Sequence, residues 1–581
     1  MQLSQRFRFP AIFCAVAVLA CELISRPVAN MGICDDGPYI LVAKNLATTG
    51  HIFYNGWSAA MLIWQLYVGA AFIKLFGFSF TTVRSSTLAV SLVLAFFLQR
   101  TLVRAGINER NATIGTLALV LSPLYLLLSV TFMSDIHGLF AIVLCLYGCL
   151  RALRSATDRA AMGWLAFAAA SNALCGTSRQ LAWLGILVML PSTLWLLRAR
   201  RRVVLAGAAI TLAGVFFILG CMHWLKHQPY TLSDSLHISS VRFGALGQQF
   251  LHFFLDLPFL LFAVVVLFMP QVRKSARRMI PIAAVALVVY ALVAIRVKRL
   301  PFMEPTAGDW FTTDGGYHSL PQGNAPVFFH TWIQVLLTLA TLAGVAGLIV
   351  LLIRCRRSTV VKDPSAGVSW HELGVLVVPF SIAYTLLLVC RAAAILGDRD
   401  WPIYHYQAVL DRYSLGLLVV ALLCLVRLYQ ERVQSRFPFA AIILVGLTAI
   451  CGIAITHNTF TFYRARVAMA DELQSAGIPE TSIDNGWEYN MLVELKFADH
   501  INDSAIAYPA GAYLPIPKPA ITKCPMVWYD KTPHVRPVYG VSFDPNLCYG
   551  PAAVAPIHYS RWLAGTPGTL YAVRYTDPTR P

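Results

Sequence analysis

The chain has 581 residues, 57% of them hydrophobic and 13% charged, with a mean hydropathy of +0.64. Soluble domains carry about 25% charged residues, so the composition excludes one and points to an integral membrane protein. The formal net charge of +18 would suit nucleic acid only if the basic residues gathered on one soluble face. They fall instead in short bursts between apolar stretches, the pattern of cytoplasmic loops.

A bilayer core is crossed by about 20 apolar residues in a helix. Such runs predict about thirteen spans, near 9–28, 82–103, 112–130, 136–153, 160–177, 180–197, 203–224, 250–270, 279–296, 328–353, 370–391, 413–429 and 437–456. Every second connection is basic. Arg6 and Arg8 precede the first span, Arg100, Arg104 and Arg110 follow the second, and Arg151, Arg154 and Arg159 follow the fourth. RARRR, RKSARR and RCRR follow the sixth, eighth and tenth, and Arg427, Arg432 and Arg436 the twelfth. Positive charge is retained in the cytoplasm, so the N-terminus is expected there and the tail beyond about residue 457 outside. VLAC at 18–21 faintly resembles a lipoprotein cleavage site, but the spans that follow favour an uncleaved anchor. The chain is therefore read as an all-α, multi-pass protein of the inner (plasma) membrane over 1–456, followed by a small α/β extracytoplasmic segment over 457–581.

The outer face then holds the unusual polar residues. Asp35 and Asp36 stand side by side just after the first span. The stretch 57–79, WSAAMLIWQLYVGAAFIKLFGFS, is apolar enough to be mistaken for a span, but a span here would reverse every later basic loop. It is read as an interfacial helix. Asp135 opens the fourth span, where an ionisable residue is either functional or, like its neighbour Ser134, a helix N-cap. Arg179 lies in a tight external turn with no carboxylate near it in sequence, and suits a phosphate or lipid headgroups. Arg296, Lys298 and Arg299 break the orientation rule, and suit an anionic ligand headgroup or plain phospholipid. The loop 304–324 reads as an ordered loop or lid. The loop 397–416 carries Asp398, Asp400, His405, Asp411 and Arg412, with His405 a metal ligand or simply a hydrogen-bonding loop residue.

In the tail, FYRARVAMADELQSAG reads as a separate amphipathic helix closed by Gly477, and AIAYPAGAYLPI and TLYAVRY read as β-prone. The thirteen cysteines include no CxxC pair. Cys524 and Cys548, in the polar tail, form either a disulfide or two unpaired thiols.

The connections read as cytoplasmic contain no GxxxxGK[ST], so no nucleotide-binding loop serves that side. An activated donor available on the outer face is a lipid phosphate. Cations would hold the phosphate and a carboxylate would deprotonate the acceptor hydroxyl. Two adjacent carboxylates suit that task, because one tends to stay protonated to higher pH, or they share a divalent cation.

DDGPYILVAKNL with Tyr39, TTVRSSTLAVSL with Arg84, LSPLYLLLSVTFMSDIHGLF and LDRYSLGLL together resemble the GT-C superfamily. The group most resembled is the bacterial dolichyl-phosphate-mannose–protein mannosyltransferase-like one, which includes the aminoarabinose transferase of lipid A. The resemblance covers roughly 1–456. It implies that Asp35 is the catalytic base with Asp36 its neighbour, that Asp135 is the second external carboxylate, and that Arg179 lies near the lipid phosphate. The family pair is commonly Asp-Glu, whereas here it is Asp-Asp, which leaves the base open between Asp35 and Asp36. The function implied is glycosyl transfer from a polyprenyl-phosphate donor to an extracytoplasmic glycolipid, glycan or protein, with a divalent metal as the conceivable cofactor. The alternative is a transporter or flippase of lipid-linked saccharides, whose repeated halves and mid-span charges are not evident here. A third reading is an envelope scaffold.

Overall fold

The computed structural model describes residues 9–58, 60–232, 243–273, 310–355 apart from 319 and 321, 367–397, and 409–576 apart from 518–522 and 525, with isolated positions between 281 and 288. The chain opens with α1 (Phe9–Ser25), α2 (Asp36–Thr49) and α3 (Ile63–Phe76). At 14 residues each, α2 and α3 are about 21 Å long, short of the roughly 30 Å core. α3 is the interfacial helix expected within 57–79. α4 (Phe80–Arg104) starts at Ser79, whose hydroxyl accepts the amide of Thr82. The helices Glu109–Val120 and Pro123–Ser129 meet at 69°. Ser122 caps the second, and Pro123 stands in its first turn, where its missing N–H costs nothing. α5 (Ser134–Leu153) and α6 (Asp158–Gly176) pack tightly together.

Among the described residues seven helices are long and apolar enough to cross a membrane, or eight if the bent pair is one span. Seven or eight of the about thirteen expected spans are therefore met by such helices among the described residues. Residues 279–296 fall almost wholly outside the described ones, and two stretches are broken. The stretch 180–197 becomes a 3-10 turn, a π-helical turn and a short helix. Its break has a physical cause. The Asn172 side chain donates to the carbonyl of Ala182 and accepts the amide of Ile186, replacing the ladder bond those groups would otherwise share. The stretch 250–270 is divided near Leu261, after Pro258.

Among the described residues, the basic connections at 104–110, 151–159, 198–202 and 427–436 meet at one end of the bundle. There Arg154 pairs with Glu372 at 2.5 Å, Arg200 with Asp158, and Arg427 donates to the carbonyl of Ala105. The opposite end carries Asp35, Asp135 and the tail.

Gly148 of α5 lets α6 approach. A Cβ there would lie 2.8 Å from the Cβ of Ala168 and 3.0 Å from the carbonyl of Trp164, whereas one at Gly163 on α6 meets open space. Small residues at such crossings let backbones pack closely. Gly148→Leu is therefore expected to cost about 1–3 kcal/mol by overpacking, with Gly163→Leu near neutral. Melting of the two purified variants checks this.

α7 (Trp370–Gly397) precedes α8 (Phe439–Ser475), whose range corrects the sequence reading. The last span was expected to end near 456 and a separate helix to follow. Instead one helix of 37 residues, Phe439–Ser475, runs through both, so the boundary at 456/457 lies within a single element. Gly477, at φ +84, follows its end. The tail adds α9 (Gly486–Phe497) and a four-stranded sheet in the order β1 (Ile483–Asp484), β2 (Tyr539–Ser542), β4 (Gly568–Arg574), β3 (Ile557–Tyr559), in which only β1 runs parallel to its neighbour. TLYAVRY falls in and just after β4. AIAYPAGAYLPI forms no strand beyond a single bridge between Ile506 and Leu232, since Pro509 and Pro515 supply no ladder N–H. Cys524 and Cys548 form a disulfide.

A buried polar cluster welds the tail to α8. Arg466 is fully buried and pairs with Glu488 at 3.0 Å, while Tyr463 donates to the same carboxylate at 2.5 Å. Asp484 accepts from Gly486, Asn490 and Tyr575. Burial pushes its carboxyl upward, against those hydrogen bonds.

Candidate active site

The two adjacent carboxylates part company. Asp36 is the first residue of α2, is fully buried, and accepts the backbone amides of Ile33 at 2.7 Å and Phe132 at 3.2 Å. Arg84, from α4, grips it with two nitrogens, Nε to Oδ2 at 2.7 Å and Nη2 to Oδ1 at 3.0 Å. The remaining Arg84 donors reach the carbonyls of Ala29 and Met31. Arg84 and Asp36 thus form a closed buried pair that fastens the first loop to α4 and to the turn before α5. Asp36, the other candidate base, and Arg84, one of the residues that carry the resemblance, are both engaged in this anchor.

Asp35 faces the other way and is 21% exposed. Its Oδ1 accepts the indole N–H of Trp57 at 3.0 Å and its Oδ2 the Nη2 of Arg412 at 3.4 Å. The two carboxylates share no partner, so the pair does not fit a single chelated cation. Among the described residues no group of three His, Cys, Asp or Glu side chains is placed to hold a metal.

Asp135 lies in the first turn of α5 but does not cap it. The N-cap is Met133, without a side-chain bond. Asp135 instead pairs with Arg179, and its other oxygen stands 3.9 Å from Arg412. The partner that Arg179 lacks in sequence is thus a protein carboxylate 44 residues away, not of necessity a phosphate. The chain Asp35–Arg412–Asp135–Arg179 lies against the ring of Tyr413. Arg179 approaches that ring to 4.7 Å, Arg412 to 5.5 Å and Arg391 to 4.8 Å. Tyr384 fixes it from behind, donating to the Tyr413 carbonyl at 3.0 Å. A cavity opens here, walled by Asp135, Gly138, Arg179, Tyr384 and Arg412. Gly138 has no room for a side chain, since a Cβ would fall 3.0 Å from the Arg179 stem. Arg412 is set in turn by Asp411, which accepts the amides of Arg412, Trp310 and Phe311 and so ties residues 310 and 311 to the site.

Tyr39 is buried close by. Burial first, and the charge of Asp35 second, hold its hydroxyl well above the usual tyrosine range. Arg296, Lys298, Arg299 and His405 lie outside the described residues, as do Asp398 and Asp400.

Sequence reasoning missed Trp57, Arg391, Trp487 and Glu488. Arg391 had a signal, being a cation within the otherwise apolar α7. The other three had none, because their significance comes from a contact between the first loop and a segment more than 400 residues later.

No family model and no curated protein matches the chain. Solved structures do. ArnT from Cupriavidus metallidurans bound to undecaprenyl phosphate is 14% identical, with a TM-score of 0.38 over 97% of each chain. AglB, the oligosaccharyltransferase of Archaeoglobus fulgidus, is 13% identical with a TM-score of 0.38, over 90% of this chain and 64% of that one. The S. cerevisiae protein O-mannosyltransferase complex Pmt1-Pmt2 is 13% identical with a TM-score of 0.31, over 38% of this chain and 33% of that one.

Proposed function

We propose that the protein is a glycosyltransferase that moves a sugar from a polyprenyl-phosphate donor to an acceptor on the extracytoplasmic face. One observation carries this reading: a partly exposed carboxylate, Asp35, is bonded to Arg412, which with Arg179 walls a cavity, and Arg391 meets the same Tyr413 ring that both of these cations approach. In the reaction Asp35 takes the proton of an acceptor hydroxyl. The freed oxygen attacks the anomeric carbon, and the bond from that carbon to the phosphate oxygen breaks. The polyprenyl phosphate leaves with the electron pair, its charge met by Arg412, Arg179 and Arg391. A single displacement of this kind inverts the anomeric centre. Asp135 keeps Arg179 and Arg412 aligned before the phosphate arrives.

Native mass spectrometry of protein purified gently from its own membrane tests this. The expected result is a co-purifying polyprenyl-phosphate glycoside, or the bare polyprenyl phosphate as product. Phospholipid alone counts against the proposal. Arg412→Gln is expected to lower retention of the polyprenyl phosphate by about 10- to 100-fold, the value of one charge-assisted hydrogen bond, read as the loss of that adduct.

A further inference from the structure

We infer that the tail is a working part of the catalytic site, with Trp487 and Glu488 as positioning residues for Asp35. The inference rests on Asp35 being the base proposed above. Two successive residues of α9 hold the neighbours of Asp35 from two sides. Glu488, fully buried, accepts the amide of Cys34 at 3.1 Å, and is itself fixed by Tyr463 and Arg466. Cys34 has φ +54, a left-handed conformation unfavourable to a residue with a Cβ and held only where its surroundings enforce it. That enforced turn delivers Asp35 away from Asp36.

Trp487 works through Trp57. Its ring, 2% exposed, packs on that of Trp57 at 4.1 Å between centroids, tilted by 35°, and is backed by Trp528 at 4.6 Å. Trp57 in turn donates its indole N–H to Asp35 Oδ1. The loop is pinned again where Ile501 of the tail donates to the carbonyl of Asn55, whose side chain donates to the carbonyl of Pro38. The plane of Trp57 therefore decides how the Asp35 carboxylate is turned, and that plane lies against a ring of the tail. A general base must stand within hydrogen-bond reach of the proton it takes, and small misplacements are costly.

The test uses the full-length protein in vesicles made with a lipid extract of its own membranes, and follows release of polyprenyl phosphate by mass spectrometry over a dilution series of that extract. Trp487→Ala is expected to lower kcat about 10-fold with KM within about twofold, and Trp487→Phe, which keeps a ring, to recover most of the rate. Trp57→Phe keeps a packed ring but loses the N–H, and is expected to lower kcat to a similar extent. The double variant Trp57→Phe/Trp487→Ala should be no slower than the slower single one, because both act through one hydrogen bond. A wild-type rate in Trp57→Phe overturns the inference. So do losses that multiply in the double variant, or a Trp487→Ala effect confined to KM. If Trp487→Ala does not fold, Trp57→Phe and Trp487→Phe decide alone. Asp35→Asn, run alongside, separates the two claims: inactive Asp35→Asn with wild-type Trp57→Phe removes only the positioning role, whereas active Asp35→Asn removes both.

Discussion

Asp35→Asn is expected to lower transfer by about 10²- to 10⁴-fold, the usual contribution of a general base, while the protein melts close to wild type. The amide is the same size as the carboxylate, and its carbonyl oxygen still accepts the indole N–H of Trp57, so the loop keeps its shape. What is lost is the ability to take a proton. The stability cost is small because the Arg412 contact is long, at 3.4 Å, and Asp35 is partly solvated; such pairs contribute about 0–1 kcal/mol. Release of polyprenyl phosphate from the membrane lipid extract, measured beside a melting curve, checks both halves. Unchanged release at an unchanged melt would remove Asp35 from the mechanism.

Its neighbour should behave in the opposite way. Asp36→Ala strips the partner from Arg84, which is 2% exposed, and leaves the amides of Ile33 and Phe132 unmet. Breaking a buried ion pair from one side costs about 3–5 kcal/mol, enough to abolish the folded protein in a chain of marginal stability. The expected result is a sharp fall in the fraction surviving detergent extraction as a monodisperse species. Arg84→Met/Asp36→Leu should recover part of it, since both charges are then gone. If Asp36→Ala is as stable as wild type but inactive, Asp36 belongs to the chemistry and not to the scaffold.

These two carboxylates also show how far the sequence could be read. That an acidic pair after the first apolar run mattered was visible from its chemistry and place. Which of the two does what was not, because the answer depends on Arg84, 48 positions on, and on the turn at Cys34. The alternation of apolar runs and basic connections foretold the helical membrane architecture. It could not foresee that Asn172 would break the stretch at 180–190, because a side chain invading a helical ladder leaves the hydrophobic count unchanged. Asp135 and Arg179 were each singled out, yet their pairing was hidden by the helices between them. The tail was the least legible part. Trp487 and Glu488 look like ordinary residues of a polar tail until Trp57 and Cys34 are brought against them.

The unbroken helix Phe439–Ser475 acts as a ruler. Arg466 stands ten residues beyond 456, where the apolar stretch was read to end, so about 15 Å further along the axis. Arg466 anchors Glu488, and Glu488 holds the amide before Asp35. Asp35 is therefore tied, through Glu488, to a residue at a fixed height above the end of that stretch, with no break in the helix between. One residue inserted between 457 and 465 would lift Arg466 by about 1.5 Å and swing it by about 100°, away from Glu488. The spacing of this stretch is thus under the same constraint as the identity of the residues it carries.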